Sequence, residues 1–145
     1  MRIPMTEYLE IDLATERWRC RRCAHDLGPA RGNYKAGTLV YDRDPTEIHR
    51  PLIDPGRYEF TFAPDPAWCR ILEYYCPQCG VMMEAEYLPP GHPPVHDIEF
   101  DIDALKLQWK DRKEVVEPEI GPDLALEKVK GQRAIHETHQ HGHKH

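Results

Sequence analysis

Cys76-Pro77-Gln78-Cys79-Gly80 decides how this chain folds, because it answers a second pair of the same spacing, Cys20-Arg21-Arg22-Cys23. Two C-x-x-C turns read as one four-thiolate metal site. Each tight turn puts both sulfurs on one side of the chain, so each pair covers one edge of a tetrahedron. Pro77 presets the φ of its turn, and Gly80 permits the positive φ that lets backbone N–H groups bend toward a sulfur. Residues 24–75 then form a long insertion between the two knuckles. Cys20, Cys23, Cys76 and Cys79 are the expected metal ligands, with structural zinc as the expected ion. A closed four-sulfur site leaves no open coordination position, which argues against catalysis at the metal. Rubredoxin-like iron is the alternative ion. Disulfides need an oxidising compartment, and a thioredoxin-like redox pair leaves the other pair without a role. The fifth cysteine, Cys69 in Trp68-Cys69-Arg70-Ile71-Leu72, reads as a small buried hydrophobe.

Outward from the knuckles, Trp68–Tyr75 leads into the second and Val81–Leu88 leads out, a β-hairpin with the metal-binding turn at its tip. Trp18 and Arg19 lead into the first. Period-2 alternation predicts strands at Leu9–Leu13, Arg57–Phe62 and Asp97–Asp103, and Gly37–Tyr41 adds a short one. Ten of the 14 prolines fall between Pro45 and Pro94. Proline cannot donate to a sheet ladder, so these residues mark crossings or extended arms that gain stability by lying on another surface. After Asp103, an expected N-cap, Leu105, Trp109 and Val116 line one helical face until Pro118, and a second short helix is expected from Asp123 to Lys130. The His-rich end, with His136, His139, His141, His143 and His145, reads as a disordered tail. The expected fold is α+β: a small antiparallel sheet around a zinc ribbon, with proline-rich arms and one or two C-terminal helices. The expected division is 1–117 for the zinc-ribbon domain, 118–135 for a docking helix and 136–145 for the tail.

Charge and missing motifs narrow the function. The chain has 145 residues and a formal net charge of −6, against the clustered positive charge that nucleic acid or an anionic membrane requires. No apolar run approaches the roughly 20 residues of a membrane span, and the start lacks the apolar core of a secretory signal, so a cytoplasmic protein is expected. There is no phosphate-binding glycine loop, no nucleophile elbow, no His-Glu-x-x-His, and no serine at all. His25 beside Asp26 reads as a hydrogen-bonding residue of its turn. His92 and His96 read as loop or interface residues, and the acidic set Asp97, Glu99, Asp101 and Asp103 as a solvated or docking face. Arg17, Arg19, Arg21 and Arg22 would partly offset the charge of a zinc tetrathiolate. No catalytic residue is assigned.

The ordered motifs are specific. Cys20-Arg21-Arg22-Cys23-Ala24-His25-Asp26-Leu27, Asn33-Tyr34-Lys35, Tyr41-Asp42-Arg43-Asp44-Pro45, Glu73-Tyr74-Tyr75-Cys76-Pro77-Gln78-Cys79-Gly80 and Pro93-Pro94-Val95-His96-Asp97-Ile98 resemble the small subunit of acetone carboxylase and of its relative acetophenone carboxylase. The resemblance runs from Trp18 to Trp109. The short stretch before Cys20 favours the acetophenone type. What the resemblance implies is a cytoplasmic complex that uses ATP and bicarbonate to carboxylate a ketone to a β-keto acid. ATP binding and catalysis would then belong to large hydantoinase-related subunits, with this chain as a structural zinc-binding partner that binds no ATP. The rival readings are a zinc-ribbon nucleic-acid binder and a rubredoxin-like iron electron carrier.

Overall fold

The computed structural model describes residues 1–50, 54, 56–61 and 63–114. The N-terminal part is a meander of four short strands, β1 (Arg2–Pro4), β2 (Leu9–Asp12), β3 (Arg17–Cys20) and β4 (Asp26–Pro29). They pair in sequence order, every pair antiparallel. Ile11 faces Trp18 across β2 and β3, and Leu9 faces Cys20, so the first knuckle starts where the apolar ladder ends. A 3₁₀ turn (Tyr34–Gly37) leads to β5 (Leu39–Arg43) and then to a one-turn helix α1 (Pro45–Ile48). A second antiparallel sheet has the order β5-β6-β7, with β6 (Arg70–Tyr75) and β7 (Met82–Leu88) as the hairpin that carries the second knuckle. Helix α2 (Ile102–Trp109) follows. The architecture is α+β with two small antiparallel sheets.

The main core gathers Ile3, Leu9, Ile11, Leu13, Trp18, Leu27 and Tyr34 with Met83 and Ile102, and it includes Cys20 and Cys76. Burying each of Leu9, Ile11 and Leu27 contributes about 1.5–3 kcal/mol. Trp18 is fully buried, donates its indole N–H to the Gly32 carbonyl at 2.9 Å and meets the Tyr34 ring edge-on at 5.6 Å. At Gly37 a Cβ would lie 2.0 Å from the Leu27 carbonyl oxygen, so only glycine lets the 3₁₀ turn rest on β4. A second cluster, Leu72, Tyr74 and Leu88, sits on one face of the hairpin.

Four expected elements form where the patterns put them: Leu9–Leu13, the strand into the first knuckle, the hairpin and the short strand after Gly37. Two alternating segments do not form strands. Around Arg57–Phe62, whose last residue lies outside the described ones, the Asp54 carbonyl accepts from the N–H groups of Arg57 and Tyr58, both at 3.1 Å. That turn leaves Tyr58 and Phe60 exposed, and no neighbouring strand pairs with the segment among the described residues. Over Asp97–Asp103 the alternation is overridden by a cap. The Asp101 carboxylate accepts from the N–H groups of Asp103 and Ala104, both at 3.0 Å, so the helix begins at Ile102 and not after Asp103. Leu105 and Trp109 pack on the main core as expected. Helix α2 ends at Trp109, well before Pro118. Val116, the helix expected at Asp123–Lys130 and the His-rich tail lie outside the described residues, as do the expected boundaries at 117/118 and 135/136.

Candidate metal centre

The two knuckles are the same object built twice. In the first, the Cys20 N–H donates to the His25 carbonyl at 2.9 Å and the Ala24 N–H to the Cys20 carbonyl at 2.7 Å. In the second, the Cys76 N–H donates to the Val81 carbonyl at 2.9 Å and the Gly80 N–H to the Cys76 carbonyl at 2.9 Å. Gly80 adopts φ +71°, the conformation its presence predicts, and Ala24 takes the equivalent place at φ +59°. Each turn leaves the end of a strand, β3 or β6, so the sheets aim the cysteines.

The sulfurs converge. Cys20 Sγ lies 3.7 Å from Cys79 Sγ and Cys23 Sγ 3.6 Å from Cys76 Sγ, and all four lie within 4.8 Å of one another. A disulfide needs about 2.05 Å. A tetrahedron with metal–sulfur bonds of about 2.3 Å has sulfur–sulfur edges of about 3.8 Å. The donor set therefore fits a tetrahedral thiophilic ion. It is the sole group of three or more such side chains brought within ligating distance among the described residues. Cys20 and Cys76 are fully buried and Cys23 and Cys79 half-buried.

With protons in place of an ion, Cys20, Cys23 and Cys79 differ. Burial pushes Cys20 up to about 12 and also raises Cys23. The Val81 N–H pulls Cys79 down to about 7. A dication held by the four sulfurs would displace the protons that burial keeps on Cys20 and Cys23. Across the cluster, His25 Nδ1 lies 3.1 Å from Gln78 Oε1, so His25 bridges the two knuckles as well as closing its own turn.

Three of the arginines around the first knuckle, Arg17, Arg19 and Arg21, have other partners. Arg17 forks onto Asp26, Arg19 reaches the Ala24 carbonyl at 3.3 Å and Asp12 at 3.6 Å, and Arg21 donates to the Thr6 carbonyl at 2.6 Å. Cys69 is half-buried rather than buried, beside a shallow cavity of about 400 Å³ lined by Asp42, Arg43, Asp44, Pro66 and Arg70. It lies at the turn before β6, too near the surface to join a core. The four expected acidic residues are all exposed but share no strand face: Asp101 caps α2, Asp103 pairs with Arg31 at 2.7 Å, and Asp97 turns toward Lys35. His92 and His96 are exposed, as expected, and are not grouped as ligands.

Periodicity and spacing miss one polar cluster. Lys35 has a side chain only 2% exposed, and its ammonium meets Glu86, the Val95 carbonyl at 2.8 Å and Asp97 at 3.1 Å. Asn33 donates to the same Val95 carbonyl at 3.2 Å, and the Tyr34 hydroxyl reaches Asp97 at 3.5 Å. Two of the motifs quoted above, Asn33-Tyr34-Lys35 and Val95-His96-Asp97, thus meet. Together they tie the proline arm after β7 to the body of the fold.

Residues 2–110 match the family described as the acetone carboxylase gamma subunit. The chain belongs to that family. A curated relative, the acetophenone carboxylase beta subunit of Aromatoleum aromaticum, is 54% identical over 109 residues, which cover 75% of this chain and 82% of the relative. The acetone carboxylase gamma subunit of Xanthobacter autotrophicus is 31% identical over 96 residues, 66% of this chain and 54% of that protein. Of the two, the acetophenone type is the more similar. Within the family match lie both knuckles, both sheets and α2. Among the described residues, no helix is long and apolar enough to cross a membrane.

Proposed function

We infer that this chain is the structural, zinc-binding small subunit of a cytoplasmic, ATP-dependent ketone carboxylase that converts acetophenone or acetone, with bicarbonate, to a β-keto acid. Catalysis and ATP binding belong to large hydantoinase-related subunits. The observation that carries this reading is the closed four-sulfur cluster, at tetrahedral spacing, in a chain 54% identical to a subunit of acetophenone carboxylase. Cys20, Cys23, Cys76 and Cys79 would hold the zinc. The ion would supply a cross-link between the end of β3 and the tip of the β6–β7 hairpin, with no open position for substrate.

The magnitude makes the ion decisive. A structural zinc contributes about 10–16 kcal/mol of apparent binding free energy, while a domain's net stability is about 5–15 kcal/mol. Losing the metal therefore removes as much as the fold has to spare.

The test is reconstitution of the carboxylase with and without this chain. Cys76→Ser is expected to lose zinc and to drop out of the complex, and the isolated chain is expected to turn over neither ketone nor ATP. A Cys76→Ser chain that still assembles stoichiometrically, or turnover by the chain alone, refutes the structural role. Visible absorbance separates iron from zinc, because a four-thiolate iron site is coloured and zinc is not.

A further inference from the structure

The two sheets have four edge strands, and three of them are guarded. β1 has three residues and carries Arg2 and Pro4. β4 carries Gly28 and Pro29 and packs against the 3₁₀ turn. β7 carries Glu84 and Glu86, and Glu86 accepts from the Val95 N–H of the proline arm at 3.2 Å. Short strands, proline, charge and cover are the usual defences of an open edge.

β5 carries charge only at its far end, Asp42 and Arg43, with the Arg43 guanidinium 5.0 Å from the Tyr41 ring centre, and Leu39-Val40-Tyr41 carries no proline, charge or backbone cover. These side chains are 59%, 52% and 47% exposed, on both faces of the strand. Among the described residues no backbone group outside the sheet bonds to the free side of β5. On one face of the sheet the cross-strand rows Leu39–Tyr75–Met82 and Arg43–Ile71–Tyr87 end in exposed β7 residues, Met82 at 46% and Tyr87 at 53%, while Ile71 on the central strand is buried. Tyrosine, methionine and leucine with one neutralised Arg43–Glu73 pair is the composition of an interface centre rather than of a solvated sheet.

Resting on the reading of this chain as a carboxylase subunit, we propose that the free edge of β5 and the sheet face beside it dock an extended segment of a different, larger subunit. That segment adds a strand to β5 and carries a basic residue near Asp44. The partner's chemistry follows from the local charge. Around the end of β5 stand four carboxylates, Asp42, Asp44, Glu47 and Glu73, against two guanidinium groups, Arg43 and Arg70. A second copy would bring two acidic surfaces together, each on a chain of net charge −6, whereas a basic partner complements the deficit. Backbone pairing supplies affinity, and the exposed apolar side chains supply register.

The experiment uses the full chain with the large subunits of the purified carboxylase. Val40→Lys and Tyr41→Lys place a charge on the edge at exposed positions, and each is expected to weaken assembly at least 100-fold. Metal content and the unfolding midpoint of the isolated variants stay at the wild-type values, and Val40→Thr retains assembly. Amide hydrogen exchange at 39–43 is fast in the isolated chain and slows on assembly. Wild-type assembly that both lysine variants leave unchanged overturns this docking surface while the subunit reading stands. So does a wild-type homodimer that Val40→Lys dissociates, or slow exchange at 39–43 in the isolated chain. A wild-type chain that joins no carboxylase overturns the subunit reading and this proposal together.

Discussion

Replacing Lys35 by methionine tests the polar cluster that ties the proline arm to the two sheets. Methionine keeps the apolar stem near the Tyr34 and Tyr74 rings, where the ammonium lies 5.7 and 5.1 Å from the ring centres. It removes the charge shared by Glu86, whose side chain is 10% exposed, and Asp97, which is 32% exposed. Removing one partner of a buried ion pair costs about 3–5 kcal/mol, because the other is left uncompensated. Water reaches Asp97 more readily than Glu86, so the low end applies, about 3 kcal/mol. With a urea m-value of about 2 kcal/mol/M, the midpoint falls by roughly 1.5 M. Urea unfolding in zinc-saturated buffer measures this, with elemental analysis checking that the variant still holds its metal. Combining Lys35→Met with Glu86→Leu recovers at least about 1.5 kcal/mol relative to the sum of the single changes. A loss under about 1 kcal/mol, or a strictly additive double variant, refutes the reasoning.

Other outcomes follow from single contacts. Gly37→Ala forces a Cβ to within 2.0 Å of the Leu27 carbonyl oxygen, so thermal or urea unfolding registers a loss of about 3 kcal/mol or more. Arg31 and Lys106 hold the Glu16 carboxyl down to about 2, and Arg31 also lowers Asp103. Depressed folded-state values mean stability that is complete above the unfolded carboxylate range and is lost as pH falls from about 5 toward 2. Arg31→Gln flattens that acid limb in pH-dependent unfolding and leaves metal content at pH 7 unchanged; an unaltered limb contradicts the assignment.

The hairpin and its knuckle were legible because local signals agree there. The runs Trp68–Tyr75 and Val81–Leu88 flank the knuckle on both sides, Pro77 starts the turn, and Gly80 takes the positive φ that the second cysteine's turn requires. Leu9–Leu13 was legible for the same reason, since Ile11 finds Trp18 across the ladder. Alternation misled where local turn and cap hydrogen bonds prevail. At Asp97–Asp103 a seven-residue alternation yields to an Asp101 cap, because two side-chain hydrogen bonds start a helix that buries Ile102. At Arg57–Thr61 the turn closed on the Asp54 carbonyl prevails. β1 and β4 escaped because three- and four-residue strands with proline and glycine carry no period. At the candidate metal centre, spacing alone grouped the four cysteines that the structure brings within 4.8 Å of one another, whereas the Gln78–His25 bridge and the Lys35 cluster join residues over 50 positions apart. Such pairings exist only after the sheets form.

The most direct test is the metal content of the full-length chain, followed by its fold after chelation. One zinc per chain, lost together with near-UV circular dichroism when the ion is stripped and restored with it, is the expected result. Less than a tenth of an equivalent of any metal in freshly purified protein, or an unchanged fold after complete removal, contradicts the central claim that four sulfurs on two distant turns hold this subunit together around one ion.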